Sequence, residues 1–221
     1  MRPGDRVLHI GAGRGGLLLR TAEHYDVDAT GITLGRNQHA SVNRLIEQKG
    51  LQGRVRMLLQ DYRDIDENTS FDKVASIGMR EHVGRPNLPH CFDKICRLLT
   101  SGGLVMNHGI TVGVMAEAMT RDGLEPLDLE CLRPHYAKTL WHWVNALEAN
   151  IDAARRVLGK RADKAIRAYR LYLAGSAMAF EHGWISLLQI LGRRPDGEVG
   201  DRFDAPGALG ARQSPYPFNR G

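Results

Sequence analysis

Three short stretches carry residue types that could do chemistry. The first is Gly11-Ala12-Gly13-Arg14-Gly15-Gly16, in which glycines 11, 13 and 16 match the spacing G-x-G-x-x-G. Such a turn lets the backbone approach a ligand closely and aims the start of a helix at it. It fits the pyrophosphate of a dinucleotide, the methionine end of S-adenosylmethionine, or simply a tight strand-to-helix turn. A dinucleotide site places a carboxylate about 20 residues further on, at the end of the second strand, to hold the ribose hydroxyls. That place reads Gly31-Ile32-Thr33-Leu34-Gly35 and offers none, although the Thr33 hydroxyl and the Gln38 amide have the groups to bond a ribose. The third stretch is Gln60-Asp61-Tyr62, with a carboxylate to accept from an adenine amino group and a ring to stack beside it. Together these suit an adenosyl ligand.

The elements around them alternate. Strands are expected at 6–10, 29–34, 55–60, 71–77 and 103–108, with helices at 17–24, 37–49 and 88–99 between them. A strand–helix alternation of this kind predicts an α/β fold, a mostly parallel sheet with helices on both faces. A weaker sixth strand is expected at 126–132, two helical stretches at 134–159 and 162–183, and a last strand at 184–190. The two helical stretches are expected to cover the ligand crevice. Residues 1–192 form one domain on this reading, and 193–221, rich in Gly, Pro, Arg and Asp, a loop or flexible tail.

Composition narrows the class. The 221 residues are 43% hydrophobic and 25% charged, which is ordinary for a folded globular protein. The longest apolar stretches fall well short of the roughly 20 residues that cross a bilayer, and no charged-then-apolar leader opens the sequence. Cys91, Cys96 and Cys131 have neither metal-ligand nor redox spacing, so the expectation is no metal site and reduced, buried thiols in the cytoplasm. The net charge of +5 favours an anionic surface, phospholipid headgroups or nucleic acid. It reads as spread along the chain, without a Lys/Arg block or an aromatic ladder, and nucleic acid is not expected as a partner.

Further motifs, in order, carry a resemblance. Thr33-Leu34-(x3)-Gln38, Leu59-Gln60-Asp61-Tyr62-Arg63, Ser76-Ile77-(x3)-Glu81-His82-Val83-Gly84 and Asn107-His108-Gly109-Ile110-Thr111 resemble consecutive motifs of the cyclopropane-fatty-acyl-phospholipid synthase family. Arg133-Pro134-His135-Tyr136 and Tyr169-Arg170-Leu171-Tyr172 are similar to its C-terminal helices, and the likeness runs over roughly residues 3–190. The resemblance implies a Rossmann-like class I methyltransferase with a C-terminal helical cover, dependent on S-adenosylmethionine. It implies cofactor contacts at Gly11, Gly13, Gly15, Thr33, Leu34, Gln38, Gln60, Asp61 and Tyr62. The implied reaction is attack of a cis double bond of a membrane phospholipid acyl chain on the cofactor's methyl group. A bound bicarbonate then removes a proton so that a cyclopropane ring closes, in a site that keeps water away from the cation. Glu81, His108, Ile110 through its backbone, and Tyr172 occupy the implied bicarbonate positions. The protein so implied is cytoplasmic, works peripherally at the inner membrane face on phospholipid acyl chains, and is compatible with a homo-oligomer. The other readings are a truncated homologue that binds the cofactor without turnover, and a methyltransferase for a small molecule.

The sequence also departs from the family pattern. Arg14 stands where the family has Trp, and must point to solvent if a cationic sulfonium is to sit nearby. Arg80 stands where the family has Phe, with the reach to pair with Glu81. A helical region before the first strand, with a Tyr-Ser-Cys segment, and an internal segment between Thr111 and Met115 are expected to be lacking.

Overall fold

The computed structural model describes residues 1–111 and 115–196, without the side chains of Arg80, Arg85 and Thr111. Its centre is a seven-stranded sheet, β1 (Arg6–Ile10), β2 (Asp28–Thr33), β3 (Val55–Leu59), β4 (Phe71–Ile77), β5 (Leu99–Thr111), β6 (Glu125–Cys131) and β7 (Ser186–Arg193). The spatial order is β3-β2-β1-β4-β5-β7-β6. β1 to β5 pair in parallel, and β7 enters antiparallel between β5 and β6. A parallel sheet must be covered on both faces, which is why β1 reads as an unbroken buried run, Val7 to Ile10, instead of alternating.

Helices α1 (Gly16–His24) and α2 (Arg36–Gln48) lie on one face, packing Leu18, Leu19, Ala22, Val42 and Ile46 against Val7 and Ala29. On the other face α4 (Leu88–Leu98) and α5 (Met115–Arg121) pack Phe92, Ile95, Leu98, Met115 and Met119 against Leu8 and Ile10. Successive residues of β1 thus serve opposite layers. The short α3 (Arg80–Val83) follows β4. The expected helical stretch at 134–159 is two helices, α6 (Arg133–Ala149) and α7 (Ile151–Leu158). They break at Asn150, whose φ of −122° is not helical and whose side-chain amide donates to Ala146 O at 2.8 Å. α8 (Ala162–Glu181) packs Leu173, Ala177 and Phe180 on Ala137 and Leu140 of α6, forming a third cluster around Leu187.

The sheet reaches past residue 192. Arg193 pairs with Leu104 and with Glu125, its guanidinium bonds the Glu125 carboxylate at 2.6 Å, and the Arg194 amide donates to Gly103 O at 2.9 Å. The expected tail beyond Asp196 lies outside the described residues, as does the stretch 112–114. Cys91 is buried as expected, whereas Cys96 is half-buried and Cys131, at the end of edge strand β6, is exposed. Among the described residues no helix is long and apolar enough to cross a membrane. The positive charge is not spread along the chain. Residues 151–170 carry seven Arg and Lys against two Asp, a net of +5 that equals the charge of the whole sequence, so the remainder is neutral.

Candidate cofactor cleft and catalytic group

β1 delivers the chain into three glycines that all adopt left-handed backbone, Gly11 (φ 70°), Gly13 (φ 56°) and Gly15 (φ 75°), a region costly for any residue with a Cβ. The Ala12 amide donates to Ile32 O at 2.9 Å, which pins the turn to the end of β2. Beside it opens a cleft of about 810 Å³ at the C-terminal ends of β1, β2, β3 and β4, the crevice where open α/β sheets bind ligands. Gly11, Gly13, Thr33, Leu34, Gln38, Gln60, Asp61 and Tyr62 all line it. Gly15 does not. A Cβ there would stand 2.8 Å from Val42 Cγ1, so this glycine lets α2 close behind the turn and begins α1. Gly11 has the other role, since Met79 lies directly over it and a Cβ would meet its Cγ and Sδ at 2.5 Å. Arg14 is exposed and absent from the lining, as a cationic ligand requires.

The polar groups of the cleft are already arranged. The Thr33 hydroxyl donates to Gln38 Oε1 at 2.6 Å and accepts from the Gly35 amide at 3.1 Å. It therefore orients Gln38, whose amide N–H groups are left as donors, instead of offering itself as an independent ribose contact. Leu34 stands at the rim, 71% exposed. Gln60 donates from Nε2 to Asp64 O at 3.0 Å, leaving its carbonyl as an acceptor. Asp61 accepts from Arg63 through both oxygens, at 2.7 Å from Nη2 and 3.0 Å from Nε, and from the Arg63 amide at 2.9 Å. The Arg63 guanidinium holds this carboxyl below the usual range, so it is ionised whenever the protein is folded near neutrality. Tyr62 packs at Cys91, where burial raises the phenol and pushes the thiol up to about 11.

The second group forms where β4 ends. Gly78 turns with φ of 63° and donates to His108 O at 2.9 Å, and α3 then carries Glu81 back over β5. Glu81 Oε1 accepts the backbone N–H of Ile110 at 2.6 Å. His108 and Ile110 are two apart on β5 and share a face, and the His108 ring lies 6.2 Å from Tyr136, itself 5.6 Å from Phe180 of α8. Glu81 is thus brought to Ile110, with His108 two residues back along β5, and none of the three is among the residues that line the cleft. Tyr172 stands apart. Leu173, Ala177 and Phe180 occupy the inward stripe of α8, which turns the preceding residue about 100° aside. Tyr172 is 65% exposed and makes no described bond or ring contact with the other three. The expected pairing of Arg80 with Glu81 falls on a side chain outside the described ones. Sequence reasoning passed over His82, Asn87 and His90, which also line the cleft. His82 had a sign, its place beside Glu81; Asn87 and His90 come in with the approach to α4 and carry no local mark.

With this geometry in view, the model of the mycolic acid cyclopropane synthetase family matches residues 1–121 and 111–190. The chain belongs to this family. The two matched stretches overlap at 111–121, where the internal segment was expected to be lacking. Two relatives share the match: a probable fatty acid methyltransferase of Pseudomonas putida, 38% identical over 88% of this chain and 56% of that protein, and the probable fatty acid methyltransferase Rv3720 of Mycobacterium tuberculosis, 33% identical over 89% and 51%. This family member thus spans about half the length of those two. Among solved structures it is similar to mycolic acid cyclopropane synthase CmaA1 complexed with SAH and CTAB, with a TM-score of 0.78 and 26% identity over 87% of this chain and 79% of that one. The cyclopropane synthase MmaA2 from Mycobacterium tuberculosis gives the same TM-score at 25% identity and the same two shares. The class I methyltransferase fold of the cyclopropane synthetase family is therefore the fold of this protein.

Proposed function

We propose that this protein transfers a methyl group from S-adenosylmethionine to the cis double bond of an unsaturated phospholipid acyl chain, giving a cyclopropane acyl chain with bicarbonate as base. The observation that carries the reading is the bond of 2.6 Å between Glu81 and the Ile110 amide, two residues from His108 on β5, in the α3 turn whose Met79, His82 and Val83 line the cleft. The cleft fits the cofactor, because Gly13 leaves room beside the backbone, and Gln38, Gln60 and Asp61 offer a donor, an acceptor and an ionised acceptor. S-adenosylmethionine supplies, when bound, a methyl group on a sulfonium. Bicarbonate would be held by Glu81 and His108 at the Ile110 end of β5, where the Tyr136 ring lies 6.2 Å from His108. Solvent exclusion matters because water would trap the cation as an alcohol. The place of work is the cytoplasmic face of the membrane.

Binding without turnover is the second reading, and the exposure of Tyr172 favours it, since that phenol supplies no donor at the Glu81 and His108 pair. The test incubates the protein with S-adenosylmethionine, bicarbonate and vesicles of unsaturated phospholipid, and follows the acyl chains by mass spectrometry. Gain of one methylene unit supports the transfer reading. Unchanged chains, alongside binding of S-adenosylhomocysteine, support the second.

A further inference from the structure

We propose that the outer end of the helical cover, formed by α7 and the first half of α8, is a docking face for an anionic lipid bilayer. The proposal deepens the lipid reading above by assigning where the membrane touches, and it rests on a separate observation, the placement of charge. Arg155, Arg156, Lys160 and Arg161 are followed by Lys164, Arg167 and Arg170, against only Asp152 and Asp163. Arg155 bonds Asp152 at 3.4 Å and Arg170 is clamped by Glu148 of α6. Arg156, Lys160, Arg161, Lys164 and Arg167 are all exposed and make no ion pair among the described residues. A neutral protein body with five unpaired cations at one end presents a field directed at an anionic surface.

The apolar residues of the same segment decide which surface. Val157 is 86% exposed and Leu171 is 78% exposed. Leu171 continues the stripe of Lys164 and Arg167, three and four residues apart, on the side of α8 away from the buried Ile166, Leu173 and Ala177. Single exposed aliphatics are unremarkable, but set among cations they match an interfacial helix, whose apolar groups enter the boundary of headgroups and acyl chains. Tyr169 and Tyr172, exposed beside them, are rings that suit either a headgroup boundary or a base, so it is the aliphatic Val157 and Leu171, which offer a base nothing to stack on, that favour the bilayer.

The test is flotation with vesicles of phosphatidylglycerol mixed into phosphatidylcholine, against phosphatidylcholine alone, for the full chain and the double variant Lys164→Gln with Arg167→Gln. Binding is expected on the anionic vesicles only, to weaken as salt is raised, and to fall about 25-fold in the variant at about fivefold per cation. S-adenosylhomocysteine binding of the variant should match the parent, which shows that it folds. Equal binding of both vesicle types, or a variant that floats as well as the parent, overturns the proposal. So does retention of single-stranded DNA in preference to anionic vesicles. Methyl transfer to unsaturated acyl chains in neutral detergent micelles is scored separately: if it fails while anionic vesicles still bind, the docking face stands and the assigned reaction falls.

Discussion

Among the described residues Glu81 is held by a bond to β5. Its Oε1 accepts the Ile110 amide at 2.6 Å, so the carboxylate is fixed on β5 although the side chain is exposed. Glu81→Gln keeps an acceptor for that amide and removes the charge that would orient the base. Turnover should fall by at least about 100-fold, the usual range for a positioned acid–base group, with S-adenosylhomocysteine affinity within about twofold of the parent. Product analysis and titration calorimetry check the two halves, and full activity in the variant would remove Glu81 from the site. Gly11 allows a second prediction. Gly11→Ala puts a Cβ at φ of 70° and 2.5 Å from Met79, costing about 1–2 kcal/mol from backbone conformation before any collision is counted. Urea unfolding should show at least that loss, together with weakened cofactor binding, whereas an unchanged midpoint would mean that the turn relaxes freely.

At the scale of elements, β1 contains a group at odds with its setting. His9 is buried in the strand, both ring nitrogens lack a partner among the described residues, and burial lowers its pKa from 6.5 to about 4. Folded protein therefore binds this proton less readily than unfolded protein. The stability contributed is fully present above pH 6.5 and is lost as pH falls toward 4, to a limit of about 3 kcal/mol. His9→Leu should flatten the pH dependence in that window relative to the parent, measured by urea unfolding at pH 7 and pH 4.5. Equal slopes in the two proteins would show that the ring finds water or a partner. The strand pairings explain why part of the element pattern was legible and part was not. β1 to β5 announce themselves by apolar runs and glycine turns, which are local. β7 inserts antiparallel between β5 and β6 from more than 50 residues away, and its continuation to Arg193 depends on pairing with Leu104 and Glu125, which no local pattern contains.

For the whole molecule, the cleft predicts linkage between cofactor binding and stability. S-adenosylhomocysteine at about 100 times its dissociation constant should add nearly 3 kcal/mol of unfolding free energy and raise the melting temperature, while NAD should not, because the second strand ends without a carboxylate. A shift with NAD that S-adenosylhomocysteine fails to displace would revive a dinucleotide site. By itself the sequence determined the doubly covered sheet, the glycine turn, the Gln60-Asp61-Tyr62 corner and the two motifs whose Glu81 and Ile110 meet. Each of these is written in residues close together in the chain, where backbone preference and strand period act directly. Only the tertiary structure decided that Gly15 yields to Val42, that Thr33 serves Gln38, that Asp61 is clamped by Arg63, and that Tyr172 turns outward while Leu173 turns in. The charge of residues 151–170 is countable in the sequence, and the structure added that five of its cations are exposed and unpaired among the described residues. The physical reason is common to all of them: which side of a helix or loop faces the protein is settled by what packs against it, and that neighbour comes from elsewhere in the chain.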